Sequence, residues 1–169
     1  MNSNDTAPDR HGSAVVTRTS DIELTVVRVF DAPAALLFKA WTTPELVQRW
    51  WGYETSEWIQ CDIDLRVGGT WRWVIKENGF EVAFRGVYKE ISPPHRLVNT
   101  ELYEGVPGAT DDDAALVTTT FDEVDGVTTL TQVSQFAQKE HLDAAVESGM
   151  EGGIQVSFDR LEDVVRAEA

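Results

Sequence analysis

Lys139 to Arg166 reads KEHLDAAVESGMEGGIQVSFDRLEDVVR. At about 100° per residue, Met150, Ile154, Ser157, Phe158, Leu161, Val164 and Val165 fall on one stripe. Glu151, Asp159, Glu162, Asp163 and Arg166 fall opposite. The spacing predicts one long helix over about 139–166, with one buried and one solvated face. Such a helix needs an apolar surface to lie on, and the preceding chain supplies strands.

Working back toward the N-terminus, Leu116–Val124 and Val127–Phe136 read as a hairpin turned at Asp125-Gly126. Leu97–Tyr103 reads as a strand, and Glu104–Ala114 as a long acidic loop. Ser92-Pro93-Pro94-His95 is a turn, because neither proline can donate to a ladder. Phe80, Val82, Phe84, Gly86 and Tyr88 share a strand face. Trp71, Trp73 and Ile75 alternate with Arg72, Val74 and Lys76, and Asn78-Gly79 joins the two runs. Ile59, Cys61, Ile63 and Leu65 alternate with Gln60, Asp62, Asp64 and Arg66. Two short helices come before, opened by Asp31-Ala32-Pro33 and by Thr43-Pro44-Glu45, the second ended by Gly52. Ile22–Phe30 is the first strand, although Val27, Arg28, Val29 and Phe30 blur its alternation.

The predicted order is strand, two short helices, six strands, long helix. Strands joined by short turns pair antiparallel, and one amphipathic helix must cover the sheet. A strongly twisted sheet wrapped on a helix encloses space where a ligand could sit. The fold class is therefore α+β of the helix-grip type. Residues 21–169 form the domain, and residues 1–20, polar and poor in large apolar side chains, are expected to be a flexible, dispensable tail.

Composition narrows the function classes. The chain carries 14 Lys and Arg against 29 Asp and Glu, a net charge of −15. Binding a polyanion takes a basic patch, and none stands out, so neither nucleic acid nor an anionic membrane is an expected partner. The N-terminal stretch lacks an apolar core of the secretory kind and no run is long enough to span a bilayer, so the expected compartment is the cytoplasm.

Several motifs resemble those of the Bet v 1/START-like (SRPBCC) superfamily, in the branch named after the activator of Hsp90 ATPase homologue. They are Phe30-Asp31-Ala32-Pro33, Glu45-Leu46 leading to Trp50-Trp51-Gly52, Asp64-Leu65-Arg66-Val67-Gly68-Gly69, Pro93-Pro94-His95-Arg96-Leu97, and Gly149 to Leu161. Where the family often has Gly-Trp near the start of the last helix, this chain has Gly149-Met150. The resemblance implies a cavity between sheet and helix. Family members include lipid carriers, cyclases, hormone receptors and co-chaperone domains, so it implies fold more firmly than activity.

The candidate ligand-binding residues are Trp71, Trp73, Phe84, Tyr88, Met150, Gly153, Ile154 and Phe158, all on inward positions. The aromatics among them serve equally as core packing. Trp50 and Trp51 are expected to pack their helix on the sheet. Gly153 lies at the edge of the buried stripe, and Gly152 lies on the back.

No catalytic or metal-binding residue and no cofactor is expected. His11, His95 and His141 share no ligand spacing and read as surface groups. Asp111-Asp112-Asp113 lacks the calcium-loop pattern. Cys61, the single cysteine, reads as a buried, inert thiol beside Ile59 and Ile63. Asn99, Gln132 and Arg85 are polar residues near the cavity, and alternation sets Arg85 on the face opposite Phe84. The leading expectation is a binder of a small hydrophobic or aromatic molecule. A polyketide cyclase or dehydratase-type enzyme and an Hsp90-regulating module are the alternatives, and homodimerisation is left open.

Overall fold

The structure, a computed structural model, describes residues 8–169. Strands β1 (Val15–Arg18) and β2 (Glu23–Phe30) are followed by helices α1 (Ala34–Thr42) and α2 (Pro44–Trp50). Strands β3 (Glu57–Ile63), β4 (Thr70–Glu77), β5 (Phe80–Ser92), β6 (Arg96–Tyr103), β7 (Ala115–Val124) and β8 (Val127–Gln135) come next. Helices α3 (Lys139–Glu147) and α4 (Met150–Glu168) end the chain. The strands form one antiparallel sheet in the order β1-β2-β8-β7-β6-β5-β4-β3, with the helices against its inner face.

The two hairpin signals act as read: Asn78-Gly79 and Asp125-Gly126 both adopt positive φ at both positions, the tight turn whose twist matches the flanking strands. The turn into α1 is capped from across the fold, where the Ala34 amide donates to Glu123 of β7 at 2.7 Å. All six tryptophans join one chain of ring contacts that runs from Trp41 and Trp50 through Trp73 and Trp71 to Trp51 and Trp58. It ties α1 and α2 to the concave side of β3 and β4.

Four expectations need correcting. First, the tail is not wholly free. Val15–Arg18 pairs with the outer edge of β2, from Val15↔Val27 to Arg18↔Leu24. Residues 10–14 then run along the back of α4. Arg10 makes two hydrogen bonds to Asp31 at 2.8 and 3.0 Å, the Gly12 amide donates to Asp159, and the side-chain amide of Gln155 accepts from the Ala14 N–H and donates to its carbonyl. A short strand with little apolar periodicity is held by its backbone ladder and polar anchors, which hydrophobic patterning does not register. The expected tail residues 1–7 lie outside the described residues.

Second, the long helix is two helices. Gly149 adopts φ +88 between Glu147 and Met150, a conformation a helix interior cannot contain. Third, β2 keeps its alternation: Leu24, Val26, Arg28 and Phe30 all face inward. Arg28, 1% exposed, reaches Asp159 and Glu162 on α4, each at 3.2 Å. Glu162 is therefore buried rather than solvated, beneath the segment 10–14. Fourth, a bulge between Trp58 and Gln60 reverses the parity of β3, so Trp58 turns inward and Ile59 is exposed.

Candidate functional site

A cavity of about 670 Å3 lies between the concave face of the sheet and the two C-terminal helices. That is a size typical of small-molecule pockets. Its floor is aromatic. Trp71 and Trp73 project from β4 and Phe84 and Tyr88 from β5, because the alternation of both strands sends these positions to the helix side. Met150, Gly153, Ile154 and Phe158 form the opposite wall on α4. The eight residues singled out in the sequence thus surround one space. Trp50 and Trp51 border it as well as packing α2 down. Tyr53, Tyr103 and Val106 are exposed and line the cavity at its rim.

Gly153 lies where its angular position put it: a Cβ there would stand 3.3 Å from the Tyr53 hydroxyl. A Cβ on Gly152 would meet nothing. Side chains longer than methyl at 153 would grow into the cavity; at 152 they would grow into solvent.

The polar part of the wall is sparse. Asn99 on β6 donates its amide to the Thr100 carbonyl at 3.0 Å, and Gln132 on β8 donates to Thr119 at 3.3 Å. The indole nitrogens of Trp71 and Trp73 are buried donors with no partner among the described residues. Unpaired buried donors cost free energy, so two of them against one cavity mark where a ligand acceptor or water would be held.

Glu101 is the residue the sequence reading missed. It lines the cavity, and its carboxyl makes no hydrogen bond or ion pair among the described residues. The side chain is half-buried in the cavity wall, and desolvation there pushes its carboxyl up to about 7 from the ordinary 4.5. The signal was available: Leu97, Asn99 and Glu101 share one face of β6, so Asn99 fixes the parity for Glu101. His141 was expected at the surface; it is half-buried and lines the cavity, because α3 lies over the opening. Arg85 stays outside, as alternation required, bonded to Asp111 at 3.1 Å. Cys61 is half-buried and burial pushes its thiol up to about 12, which leaves it protonated and unreactive at neutral pH.

The family model described as activator of Hsp90 ATPase homolog 1-like protein matches residues 31–166. The chain belongs to this family. Solved structures share the Hsp90-activator-homolog fold. A protein from Rhodobacter sphaeroides is 26% identical with a TM-score of 0.80, covering 91% of this chain and 98% of its own. One from Nitrosomonas europaea is 21% identical (TM-score 0.78; 89% and 98%), and one from Mycobacterium smegmatis is 23% identical (TM-score 0.76; 89% and 96%). No curated protein matches. Membership of the Hsp90-activator-homolog family supports a ligand-binding domain in general terms. Among the described residues, no helix is long and apolar enough to cross a membrane.

Proposed function

We propose that this protein binds a small hydrophobic or aromatic molecule in the cavity between the sheet and α4. The observation that carries this reading is the cavity itself: about 670 Å3, floored by tryptophans, with two buried indole donors left without partners. A core that served packing alone would close over its aromatics, since interiors fill space nearly as crystals do. The eight residues named above are the proposed contacts.

The test is uptake of N-phenyl-1-naphthylamine, a neutral apolar fluorophore. Gly153→Leu should weaken uptake at least about tenfold while circular dichroism stays unchanged, because the new side chain fills the space beside Tyr53. Trp73→Ala should alter it too. Uptake equal to wild type in both variants would remove the cavity as the binding site.

A second reading rests on Glu101. A carboxyl that titrates near neutrality can act as general acid or base on a bound substrate, as a cyclase or dehydratase requires. Mass spectrometry of a co-purifying molecule would separate the readings: binding predicts one unchanged species, whereas chemistry predicts a product that Glu101→Gln fails to form. Regulation of a chaperone enters only through the family's description, and the cavity geometry does not bear on it.

A further inference from the structure

Glu101 has small cross-strand neighbours on both sides. On the β7 side its cross-strand neighbour is Ala115. On the β5 side, the pairs Arg85↔Leu102 and Tyr88↔Asn99 put Gly86 opposite it. Neither neighbour carries anything beyond a methyl group. The bare Cα of Gly86 is closely approached on that side: a Cβ there would collide with the Thr100 carbonyl and would stand 2.5 Å from the indole nitrogen of Trp71, its partner on β4. The Trp71 indole thus lies across β5 in the same cross-strand row as Glu101, and its nitrogen has no partner.

The charge pattern of the wall is one-sided. Among the described residues neither lysine nor arginine lines the cavity; its other acidic residues are Glu77 and Asp113, and its one histidine is His141. Glu77 is occupied by hydroxyl donors from Thr55 and Ser56, at 2.7 and 2.6 Å. Asp113 is occupied by the Thr110 amide at 2.8 Å. Glu101 is the acid left without a partner, in a cavity floored by aromatic rings.

We propose that the cavity selects an organic cation, a hydrophobic amine whose apolar body lies on the tryptophan floor and whose ammonium group donates to Glu101. This rests on the cavity being the ligand site. An ammonium supplies the counter-charge that the protein withholds, and aromatic faces attract cations where water is excluded. A carboxylate ligand would instead meet three acids and no fixed cation. Burial of the free carboxyl keeps Glu101 partly protonated at neutral pH, and an ammonium beside it would draw the pair into its ionised form.

Three probes with one apolar body test this by calorimetry at pH 8: naphthalen-1-ylmethylammonium, naphthalen-1-ylmethanol and naphthalene-1-carboxylate. Wild type should bind the ammonium at least about tenfold more tightly than the alcohol, with the carboxylate weakest, as expected for a charge-assisted hydrogen bond. Glu101→Gln should cost the ammonium about 10- to 100-fold and leave the alcohol within about twofold. The substitution is isosteric, and an unchanged circular dichroism spectrum checks that the fold persists. An alcohol or carboxylate that binds wild type as tightly as the ammonium overturns the proposal without reference to any variant. So does an ammonium affinity indifferent to Glu101→Gln. If the alcohol binds and charge does not matter, the cavity reading survives and the cation reading falls. If none of the three binds wild type, both fall.

Discussion

Glu162 on α4 and Glu101 on β6 are both drawn away from water, yet they are held in opposite ways. Glu162 is 1% exposed and accepts from Arg28, with Arg166 and His11 within 3.5 and 3.7 Å. Arg28 in turn lies 4.7 Å from the centroid of Phe30 and also bonds Asp159. Arg28 meets both carboxylates through Nη2, although its Nε has no partner among the described residues, and the cluster fastens α4 to β2. Glu101 has small neighbours and no partner. The first arrangement is what a carboxylate needs in order to contribute to folding; the second costs stability and makes sense where something else is to supply the contact.

The comparison can be broken by removing partners. Arg28→Met should destabilise most, by about 3–5 kcal/mol, because it strands buried Glu162 and half-buried Asp159. Denaturant unfolding would measure it; a loss under about 1 kcal/mol would mean that Arg166 and His11 suffice. Deleting residues 1–20 should cost about 2–3 kcal/mol, since it removes the β1 ladder, the Arg10–Asp31 pair and the cover over Glu162. Equal thermal midpoints for the full and shortened chains would show that the strap is only resting on α4.

Glu101→Gln should act in the opposite direction. The unfolded carboxyl ionises above about pH 4.5, while the folded one keeps its proton until about 7. Over that window the unfolded state binds fewer protons, so rising pH lowers stability. At about 1.4 kcal/mol per pH unit the full effect would be near 3 kcal/mol, and partial accessibility reduces it to about 1–2 kcal/mol. Glu101→Gln should therefore be more stable than wild type at pH 8 and equal to it at pH 4. Unfolding curves at the two pH values would show this, and a variant less stable at both would mean that the carboxyl has a partner in the fold.

The smallest effect belongs to Gly152→Ala. An exposed helical glycine whose Cβ would touch nothing should gain about 0.5–1 kcal/mol of helix propensity without change in probe uptake. Altered uptake would place residue 152 on the cavity side.

The sequence of elements from β2 to β8 was legible from local turn signals, and the positions of the eight cavity residues from parity, a local property of β4, β5 and α4. What escaped depends on contacts between distant segments. Glu162 reads as a solvated position on its own helix; only the arrival of Arg28 and of residues 10–14 buries it. Ile59 reads as inward until the bulge at Trp58/Gln60 shifts the register by one. Glu101 was within reach, since Asn99, two residues before it on the same strand, had already fixed its face.

The interruption at Gly149 divides the roof of the cavity into two panels of unequal hold. The α4 panel sinks Phe158, Leu161, Glu162, Val164 and Val165 into the body of the protein. The α3 panel sinks only Leu142. Lifting α3 therefore exposes little and leaves the rest of the molecule intact, which is the condition for low-energy local opening. If the cavity holds a ligand as proposed, its residence time would be set by the opening of α3 about Gly149 rather than by the lifetime of the folded state. Amide exchange along Lys139–Glu147 would run ahead of that along Phe158–Val165, and a ligand that touches His141 would slow the first without moving the second.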